Sequence, residues 1–214
     1  MARVFAVLAG KYLGQPLVIV NRVGAGGTIA TTEVKAAKHD GYTIMLNAVG
    51  VFTCQPKMRK VSYGLDDFET VIGLSYEPIV LTTNANPDYK SLDYLKNSKE
   101  IIKYDSSGTG DLPHLSQAAF FRKAGIEATH IPYDAGEHLQ LYSDMLGQKV
   151  GVVAVHPGEL IPYVKSGELL LLNIFSSERF DLIPNVPTFK EQGCGLDFSV
   201  WKFILVPKAL ILKL

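Results

Sequence analysis

The sequence predicts a two-lobed α/β protein with mostly parallel sheets. Short apolar runs rich in Val, Ile and Leu alternate along the chain with helix-forming segments of about ten residues. Strands that are separated by helices in this way pair in parallel, and the helices cover both faces of the sheet. The composition agrees, because 47% of the 214 residues are hydrophobic and 20% are charged, which excludes a disordered chain.

The first lobe is predicted from residues 1–97 together with the returning residues 198–214. An amphipathic helix opens the chain and ends near Gly14, and Thr28 is placed to cap the next helix, which Gly41 follows as a left-handed stop. The predicted elements are a helix at 2–12, a strand at 17–20, a helix at 29–38, strands at 42–46, 70–74 and 78–83, a helix at 91–97 and an extended segment at 198–206.

The second lobe is predicted from residues 98–197. Asp111 is placed to cap its first helix, and Gly147 and Gly167 are placed to end the next two helices. The predicted elements are strands at 101–104, 129–133, 150–155 and 169–175 and helices at 113–123, 137–146 and 157–165.

Charge and hydropathy exclude several classes of function. The 21 Lys and Arg residues balance 21 Asp and Glu residues, so no basic excess is present to neutralise a nucleic acid. The longest apolar runs are far shorter than the ~20 residues that span a bilayer. Cys54 and Cys194 have no His or Cys neighbours at metal-ligand spacing, so we expect free thiols, no metal and no cofactor.

A glycine-rich loop at residues 24–27 lies between a predicted strand and a predicted helix, where a dinucleotide fingerprint would lie. The match fails, because Ile29 stands at the position of the third glycine and the following strand ends in Asn47 rather than an acidic residue. A conformational turn is the better interpretation.

The segment Tyr-Asp-Ser-Ser-Gly-Thr-Gly at residues 104–110 is more informative. Small hydroxyl residues and glycines between a strand and a helix let several N–H and O–H groups converge on an anion, which would make a carboxylate cradle. An ordinary Ser/Gly turn explains the same residues. Asp105, Ser107 and His114 suggest a hydrolase, but no nucleophile elbow surrounds them, so no catalytic residue is predicted.

Three histidines receive different interpretations. His114 lies in the first turn of the predicted helix, where a neutral imidazole can donate to the preceding loop, although a surface histidine is an alternative. His130 alternates along a strand and is interpreted as structural. His156 ends an apolar strand, and ligands in open parallel sheets bind beyond the carboxyl ends of strands, so it is a candidate site residue.

Several segments in order resemble the substrate-binding receptors of tripartite tricarboxylate transporters, the Bug family. They are residues 14–16 (GQP), 21–22 (NR), 24–27 (GAGG), 40–43 (DGYT), 104–110 with His114, 131–133 (IPY), 146–150 (LGQKV), 165–167 (KSG) and 184–193 (PNVPTFKEQG). Each segment alone is weak evidence for the family. Their shared order over nearly the whole chain makes the resemblance specific.

The resemblance implies a Venus-flytrap receptor in the periplasm that captures a small carboxylate, delivers it to the membrane permease subunits of the transporter and is not an enzyme. It also implies that backbone amides and hydroxyls, rather than cations, hold the carboxylate. The ligand-binding residues predicted on this basis are Ser106, Ser107, Gly108, Thr109, Gly110, Asn47, Ala48 and His156.

The sequence also departs from the family pattern. The family has a signal peptide, a first strand and a glycine-rich loop before the segment that matches residues 2–12, and it continues beyond the segment that matches 201–207. We therefore expect a chain that is truncated at both ends, with an incomplete first lobe that is marginally stable, domain-swapped or completed by self-association with another chain. A non-binding relic and, less favoured, an enzyme acting on a carboxylate through Ser107 or His156 are the alternatives.

Overall fold

The computed structural model describes residues 1–85, 91–106, 108–133 and 138–208, without the side chains of residues 138–139. Its helices are α1 (Ala2–Leu13), α2 (Thr28–Lys35), α3 (Gly50–Thr53), α4 (Gln55–Met58), α5 (Leu92–Asn97), α6 (Leu112–Ala124), α7 (His138–Leu146) and α8 (Pro157–Lys165). Its strands are β1 (Met45–Ala48), β2 (Phe68–Pro78), β3 (Val80–Asn84), β4 (Ile102–Ser106), β5 (Ala128–Pro132), β6 (Val152–Val155), β7 (Leu169–Ile174) and β8 (Ser199–Pro207).

Two sheets organise the described residues. The first has the order β1-β8-β2, and all of its pairs are antiparallel. The second has the order β5-β4-β6-β3-β7, in which β4 pairs in parallel with β5 and β6, whereas β3 is antiparallel to β6 and β7. The sheets are therefore mixed rather than mostly parallel, because β3 enters the second sheet directly from β2 without a helical crossover.

The chain passes between the two sheets at two neighbouring points. β2 ends at Pro78 and β3 begins at Val80, and the N–H of Ile79 donates to the carbonyl of Phe198, where the chain returns (3.2 Å). β3 lies inside the second sheet, and α5 packs Leu92 and Leu95 into the core on that side. Sheet membership thus changes at Ile79, and the lobe bounds after residue 97 stay a prediction.

The opening helix α1 forms as predicted and ends at Gly14, which adopts the left-handed φ of 68°. The predicted strand at residues 17–20 is wrong, since that segment belongs to neither sheet and no described strand lies beside it to pair with its backbone. The predicted cap of α2 also differs: Gly27 occupies the N-cap position, and Thr28 is the first helical residue.

Each lobe has its own apolar core. In the second lobe the core includes the fully buried Phe120, Phe175 and Phe189, packed under the five-stranded sheet. In the first lobe a smaller cluster surrounds Phe52 and Phe68. Neither Cys54 nor Cys194 forms a disulfide, as predicted. No helix in the described part of the chain combines the length and apolar character needed to cross a bilayer.

Candidate carboxylate site at the boundary between the lobes

The loop predicted to hold a carboxylate connects β4 to α6. Ser107 lies outside the described residues. Asp111 caps α6 as predicted, because its Oδ1 accepts from the N–H of His114 at 2.7 Å. The N–H of Asp111 in turn donates to the carbonyl of Gly108 at 3.3 Å. Residues 108–111 therefore form a closed turn at the N-terminus of a 13-residue helix.

This loop lies against the first lobe. The Nε2 of Gln55, at the start of α4, donates to the carbonyl of Gly110 at 3.3 Å. Gly110 has a φ of 82°, and a Cβ added there would lie 3.1 Å from the Cγ of Met58. A side chain at Gly110 would thus be strained and would contact α4. The loop therefore lies on the side of the second lobe that faces the first lobe.

Thr109 is the part of the loop that is open to a ligand. Its side chain is exposed, and neither its N–H nor its hydroxyl makes a hydrogen bond to any described residue. The helix dipole of α6 favours negative charge near these donors. Thr109 can therefore bind a carboxylate with a backbone amide and a hydroxyl together.

Three other predicted ligand residues have polar groups that form contacts inside the second lobe. The N–H of Gly110 donates to the Nδ1 of His114 at 2.9 Å. Ser106 is fully buried, and its Oγ lies 2.8 Å from the Nε2 of His130 and 3.1 Å from the carbonyl of Gly108. The N–H of Gly108 makes only a long contact of 3.4 Å with the same Oγ. These contacts fix the shape of the loop.

Asn47 and Ala48 lie at the end of β1, as predicted, but their polar groups are satisfied locally. The Nδ2 of Asn47 donates to the Oγ1 of Thr31 on α2 at 3.1 Å, and its Oδ1 accepts from the N–H of Ala48 at 2.8 Å. None of the described hydrogen bonds of Asn47 reaches the loop at residues 106–110.

Gln55 is a boundary residue to which the sequence did not point. It is 1% exposed, and a Cβ added to Gly26 would lie 2.4 Å from its Nε2, so its amide packs between Gly26 of the first lobe and Gly110 of the second. The left-handed φ of Gly26 (62°) allows this close approach and confirms the turn at residues 24–27. The Oε1 of Gln55 has no hydrogen-bond partner among the described residues.

His156 follows β6 and lies at the same boundary, beside a charged pair. Its Nδ1 is 3.8 Å from the Oε2 of Glu77 on β2, whose Oε1 accepts from the Nζ of Lys202 on β8 at 3.2 Å. Burial alone would raise the pKa of Glu77, but Lys202 and His156 hold it below its ordinary value. This pair joins His156 to the first sheet next to the crossing at Ile79.

Asp105 precedes the loop and is fully buried. Neither carboxyl oxygen has a hydrogen-bond partner among the described residues. Burial, helped by the charge of Asp144, raises the pKa of Asp105 to about 8. The side chain is therefore protonated at neutral pH. No group of three or more metal-ligating side chains occurs in the described part of the chain.

Comparison with known proteins identifies the family of this chain. A family model described as "Tripartite tricarboxylate transporter family receptor", TctC, matches residues 1–211. The chain belongs to the TctC family. The resemblance noted from the sequence is thereby confirmed.

Among curated TctC relatives, protein BugT of Bordetella pertussis is 33% identical over 220 residues, which cover 97% of this chain and 66% of BugT. A UPF0065 protein of Cupriavidus necator is 32% identical over 200 residues, which cover 91% of this chain and 60% of that protein. The chain thus spans about three fifths to two thirds of the length of these curated relatives.

Solved structures show the same fold. MatC of Rhodopseudomonas palustris, with bound malate, is 27% identical and superposes with a TM-score of 0.85 over 98% of this chain and 73% of its own. The periplasmic binding protein BugD is 27% identical, with a TM-score of 0.86 over 98% of this chain and 71% of its own. The predicted two-lobed periplasmic-binding-protein fold is confirmed, and family and fold are those of solute-binding receptors.

Proposed function

We propose that this chain is an extracytoplasmic solute-binding receptor that captures a small carboxylate between its lobes. The observation that carries the proposal is Thr109, whose N–H and hydroxyl are open at the N-terminus of α6 while its loop touches Gln55 and Met58 of the first lobe. The bound malate of MatC, which has the same fold, supports a carboxylate as ligand.

The mode of binding follows from the groups at the loop. The donors of Thr109 are neutral dipoles, and Lys202, which lies beside His156 and the crossing at Ile79, is paired with Glu77. A carboxylate is then held by hydrogen bonds to an amide, a hydroxyl and water, assisted by the dipole of α6. Periplasmic location and delivery to membrane permease subunits belong to the same proposal, and the family supports both.

The experiment is a ligand panel measured by thermal unfolding and calorimetry. The panel contains malate, a tricarboxylate, an aromatic acid, an amino acid and, as a control, a neutral polyol of similar size. A carboxylate present at 100 times its dissociation constant should stabilise the folded chain by ~2.7 kcal/mol. No shift with any acid would favour the non-binding relic.

An enzyme acting on the carboxylate through Ser107 or His156 is the second candidate, and chromatography of the incubated ligands tests it. The Ser106–His130 contact of 2.8 Å has the geometry of an activated serine, but Ser106 has no exposed surface that a substrate could reach. We therefore expect every ligand to be recovered unchanged. Conversion of any of them would contradict the receptor proposal.

Self-association is the remaining part of the proposal. Within the described residues β1 pairs only with β8, and the first lobe exposes apolar side chains on α1 and on the segment after it, among them Val4, Val7, Tyr12, Val18 and Val20. A second copy can cover this face. Light scattering across a concentration series should show a mass that rises towards twice that of one chain, and a constant monomer would contradict it.

A further inference from the structure

Two histidine rings lie face to face behind the loop at residues 106–110. His114 on α6 and His130 on β5 have ring centroids 3.9 Å apart and planes inclined by 15°. Tyr104 on β4 packs beside both rings, with its centroid 6.1 Å from His114 and 5.2 Å from His130. The parallel register of β4 and β5 produces this arrangement, because it pairs Tyr104 with His130.

Each ring holds one end of the loop. The Nε2 of His130 lies 2.8 Å from the Oγ of Ser106, where the loop leaves β4. The Nδ1 of His114 accepts from the N–H of Gly110 at 2.9 Å, where the loop enters α6. Thr109, with the open donors, lies between these two attachment points.

The hydrogen bond from Gly110 determines the proton state of His114. An N–H can donate only to an unprotonated ring nitrogen, so the proton of neutral His114 is on Nε2. The titratable groups that face the pair are Tyr104 from β4, Asp111 at the start of α6 and the other ring of the pair. Burial lowers the pKa of His114, and burial together with His114 lowers the pKa of His130 to about 4.

We propose that His114 and His130 are positioning residues of the carboxylate site: as two neutral stacked rings they hold both ends of the loop so that Thr109 presents its N–H to the ligand. This inference rests on the proposed function. Protonation of His114 would remove the acceptor for Gly110 and place a charge against His130. The loop would then lose its shape, and carboxylate affinity would fall in acid.

The test compares malate affinity at pH 7.5 and pH 5 by calorimetry in four variants. His114→Leu removes the acceptor, whereas His114→Asn places an Oδ1 near the position of Nδ1 that accepts from Gly110 and does not titrate. His130→Gln keeps a polar atom towards Ser106 without a titrating ring. His39→Asn, on an exposed residue of the first lobe, is the matched control.

Loss of one hydrogen bond that shapes the site should weaken binding by up to about tenfold, so wild type and His39→Asn should bind malate more weakly at pH 5 than at pH 7.5, beyond the loss caused by protonation of malate. His114→Leu should be weak at both pH values. His114→Asn should recover most of the affinity that His114→Leu loses and should show no acid loss beyond that caused by protonation of malate. His130→Gln, which keeps the titrating ring of His114, should bind more weakly at pH 7.5 and still lose affinity at pH 5. Thermal unfolding of each variant identifies any that does not fold.

A readout without ligand separates this inference from the proposed function. Nitrogen-15 NMR of the histidine rings at pH 7.5 should show His114 with a bare Nδ1 and a protonated Nε2. A protonated Nδ1 would overturn the positioning role of His114, whether or not the chain binds a carboxylate. Equal malate affinity in wild type and His114→Leu would overturn it while leaving the receptor function intact, and absence of carboxylate binding in the wild type would overturn both.

Discussion

The two lobes differ in how completely they bury their apolar side chains. The second lobe has a five-stranded sheet over a core that encloses Phe120, Phe175 and Phe189 with no exposed surface. The first lobe has a three-stranded sheet, and many of its large apolar side chains are exposed. They include Val4, Val7, Leu8, Tyr12, Leu13, Val18, Val20, Val23, Ile29 and Tyr42.

The two lobes therefore contribute differently to the candidate site. The loop that offers donors to a carboxylate is anchored on the well-packed second lobe, by β4, by α6 and by the His114–His130 pair. The less packed first lobe contributes a covering surface through Gln55 and Met58. Local stability follows burial, so we expect the second lobe to be preorganised and the first lobe to open more readily.

The largest effect is expected from core truncation in the second lobe. Phe120→Ala should lower the free energy of unfolding by about 3–5 kcal/mol, because it leaves a cavity beside Phe121 and Phe189. Val7→Ala, at a position that is 65% exposed on α1, should change it by less than about 0.5 kcal/mol. Urea unfolding measures both. A larger loss of unfolding free energy in Val7→Ala would show that the face of α1 that carries Val7 is covered in solution.

The next largest effect is the loss of carboxylate affinity that we expect from substitutions of Thr109 in the loop. Thr109→Pro removes the open N–H, and Thr109→Ala removes the hydroxyl but keeps that N–H. We expect the Pro variant to lose roughly a hundredfold or more in carboxylate affinity and the Ala variant about tenfold, since a hydrogen bond to a charged group contributes ~1.5–3 kcal/mol. Calorimetry gives the affinities, and circular dichroism shows whether the second lobe is intact. Unchanged affinity in the Pro variant would reject the site.

A smaller effect is expected from Asp105, the unpaired acid inside the well-packed lobe. The unfolded chain ionises Asp105 near its ordinary pKa of about 3.9, whereas the folded chain keeps the proton until about pH 8. The folded state therefore binds the extra proton, and stability falls as the pH rises between these values. Wild type should lose about 1–2 kcal/mol more than Asp105→Asn between pH 6 and pH 8. Parallel stability curves would show that Asp105 is ionised in the folded chain.

The smallest effect is the change in carboxylate affinity that we expect from a change in salt concentration. Because neutral donors rather than cations are proposed to hold the ligand, affinity should change by less than about tenfold between low and physiological ionic strength. Isothermal titration in two sodium chloride concentrations measures this change. A steeper dependence would implicate a cation, and Lys202→Met, which releases Glu77 from its partner, would then be the variant to compare.

Local signals in the sequence predicted much of the fold. The helix end at Gly14, the cap at Asp111 and the alternation of strands with helices all follow from properties of neighbouring residues. The strand expected at residues 17–20 failed because a strand needs a neighbour to pair with. The change of sheet at Ile79 carried no local signal of this kind, because β2 and β3 are nearly continuous and their sheet is decided by pairing with distant strands.

For the candidate site, the sequence pointed to the loop but not to the contacts that support it. The loop at residues 104–110 carried a local signal, and the structure brings it against the first lobe. The roles of Gln55, Lys202 and the two stacked histidines depend on register and on contacts between distant segments, such as the pairing of Tyr104 with His130. His114 was expected to donate to the loop and instead accepts from it, a direction that only the geometry of Gly110 determines.

The most direct test of the central claim is a titration of the isotope-labelled chain with malate, followed through the backbone amide signals in NMR. The Thr109 amide should shift most, downfield as its N–H acquires a carboxylate acceptor, with smaller changes at Gly108 and Gly110 and none on the exposed face of α1. Saturable shifts centred elsewhere, with the Thr109 signal unmoved, would contradict the claim.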